Sequence, residues 1–264
     1  MIKVFHYDRS TACQRVRLLL EEKKLEWEST IVDTARGDID DLPENYYTLN
    51  PKGLTPVIIH EGKAIPESLI ILEYLEDKFP TPCFRPDSAE DKANMRLWMR
   101  KIDDGIHVAS RTIGVCLVNR HIYEEKDPDL IKKYYDKMKD EVRKNNDQVN
   151  IEYGLESPLL PNAIAQFKKL FTEMDNHLKT HKWLVNDNYS LADIALVVYL
   201  QRLESFMMAP LWSNLRYLDN WYERISNRNA YKKAVLDWGD ITASKRKENG
   251  LKAFKKINQY WLDN

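Results

Sequence analysis

A hydroxyl or thiol at the first turn of a helix is well placed to handle a reactive anion. Residues 9 to 24, RSTACQRVRLLLEEKK, offer three such groups: Ser10, Thr11 and Cys13. Val16, Leu19 and Leu20 fall at i, i+3 and i+4, so the spacing predicts a helix that starts beside them. The first N–H groups of a helix have no internal partner, and the macrodipole is positive there, so a nearby negative charge is stabilised. Two roles are open to Ser10. It either caps the helix, accepting a hydrogen from a backbone N–H, or donates its own hydrogen to a bound anion. Cys13 opens a third possibility, protein-thiol chemistry, because thiolates are stabilised in a first helical turn. It has no partner at the preceding position of a CxxC pair.

Two further stretches carry polar chemistry. In NPKGLTPVI, residues 50 to 58, a proline stands directly before an apolar strand. A trans Thr55–Pro56 bond would simply open that strand. A cis bond would turn the chain sharply and present the backbone N–H and C=O of Thr55, which can pair with another peptide-like group as an added strand does. In IPES, residues 65 to 68, Glu67 and Ser68 open the helix that follows. Ser68 with the helix N-terminus suits a carboxylate, and Glu67 suits an ammonium. Together they would hold an α-amino-acid head group; capping is the alternative for both.

The elements that must position these groups follow from the hydrophobic pattern. Ile2 to Tyr7 alternate as a strand, a helix follows, and Trp27 to Val32 are extended again. After a loop containing Pro43, TPVIIHEGKAIPES predicts two strands around a Glu61-Gly62 turn. Ile71, Leu72, Leu75 and Phe79 mark the inner stripe of a closing helix. The order βαβ then ββα describes a small α/β domain over 1–80, and the prolines of PTPCFRPDSAED mark a linker over 81–90. Residues 91–264 are expected to be all helical. One helix runs from Lys92 to about His121 with Leu97, Trp98 and Ile102. A charged solvated stretch covers 127 to 148, and Ile164, Phe167, Phe171, Met174 and Leu178 form an apolar stripe. Ser190 and Asp193 are spaced as a capping box before an apolar helix. Helices at 212–226 and 228–238 then precede a basic, aromatic tail with Tyr260 and Trp261.

Composition narrows the class. Lys and Arg number 40 against 41 Asp and Glu, so no basic field points to nucleic acid. The three cysteines are far apart and the six histidines have no paired-ligand spacing, so neither disulfides nor a metal are expected. Met1 leads directly into a strand-like MIKVFHY and the longest apolar run, Ile194 to Leu200, is short for a bilayer. A cytoplasmic enzyme free of membrane segments is the expectation.

The combination S-x-x-C-x-R-V-R, NPKGLTPV, IPES and SLADI resembles the glutathione transferase superfamily over essentially the whole chain. The resemblance implies a thioredoxin-like glutathione-binding domain followed by a helical bundle that takes the second substrate. It implies a cis Pro56, a Thr55 backbone that pairs with the cysteinyl part of glutathione, and Glu67 and Ser68 on the γ-glutamyl end. Lys52, within the second motif, joins the residues that hold the co-substrate. Ser190 and Asp193 are implied to support folding. RSTACQRVR is similar to the serine-type classes (zeta, theta, delta), in which the serine matching Ser10 hydrogen-bonds the glutathione sulfur. MRLWMRKIDD, RTIG and GLESP are similar to bacterial relatives that include the β-aryl-etherase glutathione transferases.

The implied reaction is attack by a glutathione thiolate on a hydrophobic, aromatic electrophile, with aryl ether cleavage as one form. A free thiol has a pKa of about 8.5. Lowering it by about two units takes roughly 2.7 kcal/mol, within reach of one or two charge-assisted hydrogen bonds. The electrophile is expected between the domains, against His107 to Val115 and FMMAPLW, where Met207 and Met208 either line an adaptable pocket or pack in the core. Arg9 and Arg111 either attract an acidic substrate or are plain surface residues. A homodimer is implied, with Asp103 or Asp104 reaching the partner's glutathione. The rival readings are a thiol oxidoreductase or reductive dehalogenase using Cys13, and a transferase-like module without catalysis.

Overall fold

The computed structural model describes residues 1–32, 46–238 and 242–264. The loop expected around Pro43 lies outside the described residues. The chain divides into two compact units, one made of Met1–Cys83, Ile122–Lys144 and Asn229–Asp240, the other of Phe84–His121, Asn145–Arg228 and Ile241–Asn264.

The first unit opens with strand β1 (Ile2–His6), helix α1 (Thr11–Glu22), strand β2 (Trp27–Ile31) and a single turn of helix, α2 (Tyr46–Leu49). Strands β3 (Val57–His60) and β4 (Lys63–Pro66) and helix α3 (Ser68–Lys78) complete the expected ββα half. The sheet runs β2-β1-β3-β4. The pair β1–β2 is parallel, as a strand–helix–strand crossover requires, and the other two pairs are antiparallel. Glu61 and Gly62 both have positive φ, 51° and 76°, which matches a two-residue hairpin turn to the twist of its strands.

Helix α1 is buried almost all round, with Val16, Leu18, Leu19 and Leu20 fully shielded. Helix α3 covers one flank, and α12 (Asn229–Tyr231) with the wider-wound turn Lys232–Leu236 covers another. The Lys23 ammonium, fully buried, meets the Glu76 carboxylate at 2.9 Å and the carbonyls of Phe79 and Pro82 at 2.7 Å each, tying the ends of α1 and α3 together. Ile71, Leu72 and Leu75 point inward as expected, while Phe79 is half-buried where α3 ends. Helices α6 (Arg120–Glu124) and α7 (Pro128–Lys137) contribute Tyr123, Tyr134 and Tyr135, whose rings pack together with centroids 5.0 to 6.4 Å apart.

The second unit is helical throughout. The long helix expected from Lys92 to His121 is broken into α4 (Ala89–Lys101) and α5 (His107–Gly114) by a kink at Gly105, whose φ is 155°. Trp98 and Ile102 are buried, but Leu97 is 64% exposed, on the outer side of α4. Helix α8 (Glu141–Tyr153) departs from a purely solvated face, because Asp147 and Asn150 are buried. Helix α9 (Leu160–Leu178) buries the expected stripe and packs against α5, α11 (Arg216–Ser226) and α13 (Ala243–Asp263). Helix α10 (Leu191–Glu204) has every residue from Leu191 to Leu200 buried, so it is the central rod of the unit. The aromatic tail is helix α13, and Trp261 packs on Phe171 at 6.2 Å.

Candidate active site at the end of the sheet

Strand register brings the three motifs to one end of the sheet. Phe5 pairs with Val57 and Val57 with Pro66. The residues that follow β1, precede β3 and follow β4 therefore emerge together: Tyr7 to Ser10, Thr55-Pro56 and Glu67-Ser68. The Thr55–Pro56 peptide bond is cis.

Ser10 is the N-cap of α1, in extended conformation at φ −67° and ψ 121°, and its Oγ accepts from the Cys13 N–H at 3.3 Å. A hydroxyl that accepts in this way keeps its own hydrogen to donate. The two roles open to Ser10 are therefore compatible. Thr11 and Cys13 are buried, with Cys13 wholly inaccessible and its Sγ accepting from the Tyr7 N–H at 3.3 Å. The thiol faces the strand it packs on, which is the environment of an inert core cysteine.

The turn that carries Ser10 is held from beneath by Arg17, a fully buried residue that ends the S-x-x-C-x-R-V-R motif. Its guanidinium donates to the carbonyls of Tyr7 and Asp8 at 3.1 and 2.7 Å and to Ala234 O at 2.8 Å. It also meets His6 Nδ1 at 3.0 Å and lies 4.7 Å from the Trp238 ring. Arginine has only donors, so His6 Nδ1 accepts, and Nε2–H is left to donate to Ser29 Oγ at 2.8 Å. Burial, and then the Arg17 charge, push the His6 pKa down to about 3, so the ring is neutral.

The loop before Thr55 is internally fixed. Asn50 Nδ2 and Tyr46 OH both donate to Leu54 O, at 2.7 and 2.8 Å, while Asn50 Oδ1 accepts from Lys52 N at 3.1 Å. Gly53 sits at φ 65°, and a Cβ there would lie 2.7 Å from the Tyr47 ring, so any other residue would be strained and would displace that ring. Lys52 Nζ and Glu67 Oε1 pair at 2.7 Å with both side chains more than half exposed. Glu67 adopts φ 68°, a left-handed conformation that costs a non-glycine residue of order 1–3 kcal/mol and tends to persist at functional sites. It makes no side-chain cap to α3. Ser68, buried at the start of α3, receives a hydrogen bond from Arg15 Nη1 at 3.2 Å. In the sequence Arg15 and Arg17 are marked only by the R-V-R of the first motif.

Arg9 is 7% exposed and folded on Tyr7, with Nε 3.1 Å from the phenol oxygen, and is not an outlying surface cation. In the helical unit Arg111 is engaged by both oxygens of the buried Asp147, Nε to Oδ1 at 2.8 Å. Asp103 and Asp104 are exposed, and Asp104 pairs with Arg100 at 2.6 Å within one helical turn. Met208 is a core residue, whereas Met207 is half-buried with φ 61°. Ser190 and Asp193 form the expected capping box, and Asp193 also accepts from Leu184 N at 3.0 Å and Trp221 Nε1 at 2.7 Å. Among the described residues no group of three or more His, Cys, Asp or Glu is placed to hold a metal ion, and no helix is long and apolar enough to cross a membrane.

The family models for the N-terminal and C-terminal domains of glutathione S-transferases match residues 9–78 and 113–229. Protein LigF of a Sphingobium species is 26% identical over 237 residues, which cover 88% of this chain and 91% of its own. Glutathione S-transferase TCHQD of Arabidopsis thaliana is 24% identical over 279 residues, covering 99% and 96%. Among solved structures, the beta-etherase LigF of Sphingobium superposes with a TM-score of 0.77 at 23% identity, over 88% of this chain and 98% of that one. A theta class glutathione S-transferase from Xanthomonas axonopodis pv. citri, solved with glutathione bound, gives 0.62 at 22% identity, over 89% and 97%.

Proposed function

The chain belongs to the glutathione S-transferase family, and from that premise we propose that Ser10 activates the glutathione sulfur for attack on an aromatic electrophile. The protein is a glutathione S-transferase with glutathione as co-substrate. In the reading proposed, the Ser10 hydroxyl donates to the sulfur at the positive end of α1, which favours the thiolate over the thiol. The Thr55 backbone pairs with the cysteinyl segment, Lys52 lies alongside, and Glu67 and Ser68 take the γ-glutamyl end. Ser10 is a donor and not a nucleophile. The thiol proton leaves to solvent, sulfur forms the new bond to carbon, and the leaving group departs with its electron pair.

The observation that carries this reading is the register: Ser10, Thr55-Pro56 and Glu67-Ser68 emerge at one end of one sheet. The burial of Cys13 argues against the rival that uses it as a redox thiol. The likeness to a protein named beta-etherase favours an aryl ether as the electrophile, cleaved with a phenolate as leaving group. We assign the chain to a homodimer in the cytoplasm. Ile70 on the first unit and Leu97 on the second are apolar side chains 59% and 64% exposed, available to such a partner.

The test is retention on immobilised glutathione followed by turnover with a generic aryl halide and a panel of aryl ethers and isothiocyanates. Retention with turnover supports the reading, and faster turnover of ethers than of halides supports the narrower one. Retention without turnover of any electrophile would identify a binding module instead.

A further inference from the structure

We infer that Arg15 is a positioning residue for glutathione, orienting the Ser68 hydroxyl toward the co-substrate's α-carboxylate; this rests on the reading that Ser68 holds the γ-glutamyl end. Arg15 lies on α1, the helix that Ser10 caps, and is 1% exposed. Its Nη1 donates to Ser68 Oγ across 3.2 Å, spanning 53 residues of sequence. A guanidinium has no acceptor, so Ser68 is the acceptor in this bond and its own hydrogen is left for another oxygen. A hydroxyl that accepts a charge-assisted bond is polarised and becomes the stronger donor.

The rest of the α3 start agrees. Glu67 makes no side-chain cap and the first turn of α3 holds no acidic residue. The Glu67 carboxylate is drawn off to Lys52 at 2.7 Å. This helix start therefore presents N–H groups, one hydroxyl and a buried cation behind it, and its one flanking carboxylate, Glu67, is paired with Lys52. A carboxylate supplied by the ligand completes it. Arg15 acts through Ser68, and it links the helix that activates the sulfur to the helix that grips the other end of the tripeptide.

The test compares glutathione with its analogue in which hydrogen replaces the γ-glutamyl α-carboxyl group. Dissociation constants are measured calorimetrically for the whole protein, Ser68→Ala, Arg15→Met and the double variant, with far-ultraviolet dichroism to verify folding. Each single variant should weaken glutathione about tenfold, the scale of one hydrogen bond to a charged group. The double variant should be no weaker than the worse single one. The analogue should bind all four proteins alike, and the turnover loss should fall on KM for glutathione more than on kcat. Should Arg15→Met not fold, Arg15→Lys replaces it, and a partial loss confined to glutathione is expected. Equal losses for both ligands, or fully additive losses, would overturn the inference while leaving the transferase reading intact. If the unaltered protein binds neither ligand, both fall.

Discussion

At the scale of single residues, the informative contrast is between Ser10 and Cys13, three positions apart on one helical turn. Ser10 Oγ accepts from Cys13 N yet keeps a hydrogen to give, whereas the Cys13 sulfur is enclosed beneath β1. Ser10→Ala should therefore lower kcat/KM by one to several orders of magnitude, while loss of its cap costs only about 1 kcal/mol of stability. Cys13→Ser should leave conjugation largely intact, because a serine oxygen can still accept the Tyr7 N–H. The opposite ranking in a steady-state assay would return the chemistry to the protein thiol. His6 gives a pH signature of its own. Its pKa is depressed from 6.5 to about 3 in the folded protein, by burial first and by Arg17 second. The unfolded chain therefore takes up a proton below pH 6.5 that the folded one refuses. The stability this group contributes is complete above pH 6.5 and falls by about 1.4 kcal/mol per pH unit as pH drops toward 3. Urea midpoints at several pH values should show a shallower acid slope for His6→Gln than for the unaltered protein. Parallel slopes would mean that His6 titrates normally.

At the scale of elements, local signals were legible and long-range ones were not. The capping box before α10 follows from the Ser190–Asp193 spacing alone, because both partners sit within one turn. What the spacing does not announce is that Asp193 also holds Leu184 N and Trp221 Nε1. Asp193→Ala strands several buried donors at once, each at about 1–3 kcal/mol. We expect a loss of roughly 3–5 kcal/mol, seen as a fall of about 10 °C or more in the melting temperature. A shift of only a degree or two would mean that water satisfies those donors. The hairpin turn was legible from Glu61-Gly62, and with it the β3–β4 register that places Glu67 beside Pro56. The kink at Gly105 was not, since the apolar periodicity runs on through it. Leu97 lies on the face opposite the stripe of Met95, Trp98, Met99 and Ile102, so its exposure follows from the 3.6-residue period.

At the scale of the whole molecule, the order of elements and the location of the motifs were readable because each motif is contiguous. Arg15 and Arg17 stand in the R-V-R of the first motif, but their roles are not legible there, because Ser68 and Ala234 lie 53 and 217 residues away in sequence. The same distance effect hid the membership of 122–144 and 229–240 in the first unit. Only the folded contacts reveal that a segment near the C-terminus braces the turn that carries Ser10. Assembly is the remaining property at this scale. Sedimentation at micromolar concentration should give twice the 31.2 kDa mass of the chain, and Ile70→Glu should return it to a monomer. A monomer in the unaltered protein would remove the proposed dimer.

Stabilisation of a glutathione thiolate by Ser10 at this end of the sheet is the central proposal. Titrating the ultraviolet thiolate absorbance of bound glutathione against pH tests it most directly. The bound thiol should have a pKa about two units below the free value of about 8.5, returning toward that value in Ser10→Ala with binding retained. An unshifted pKa in the unaltered protein, or a shift that survives in Ser10→Ala, would contradict it.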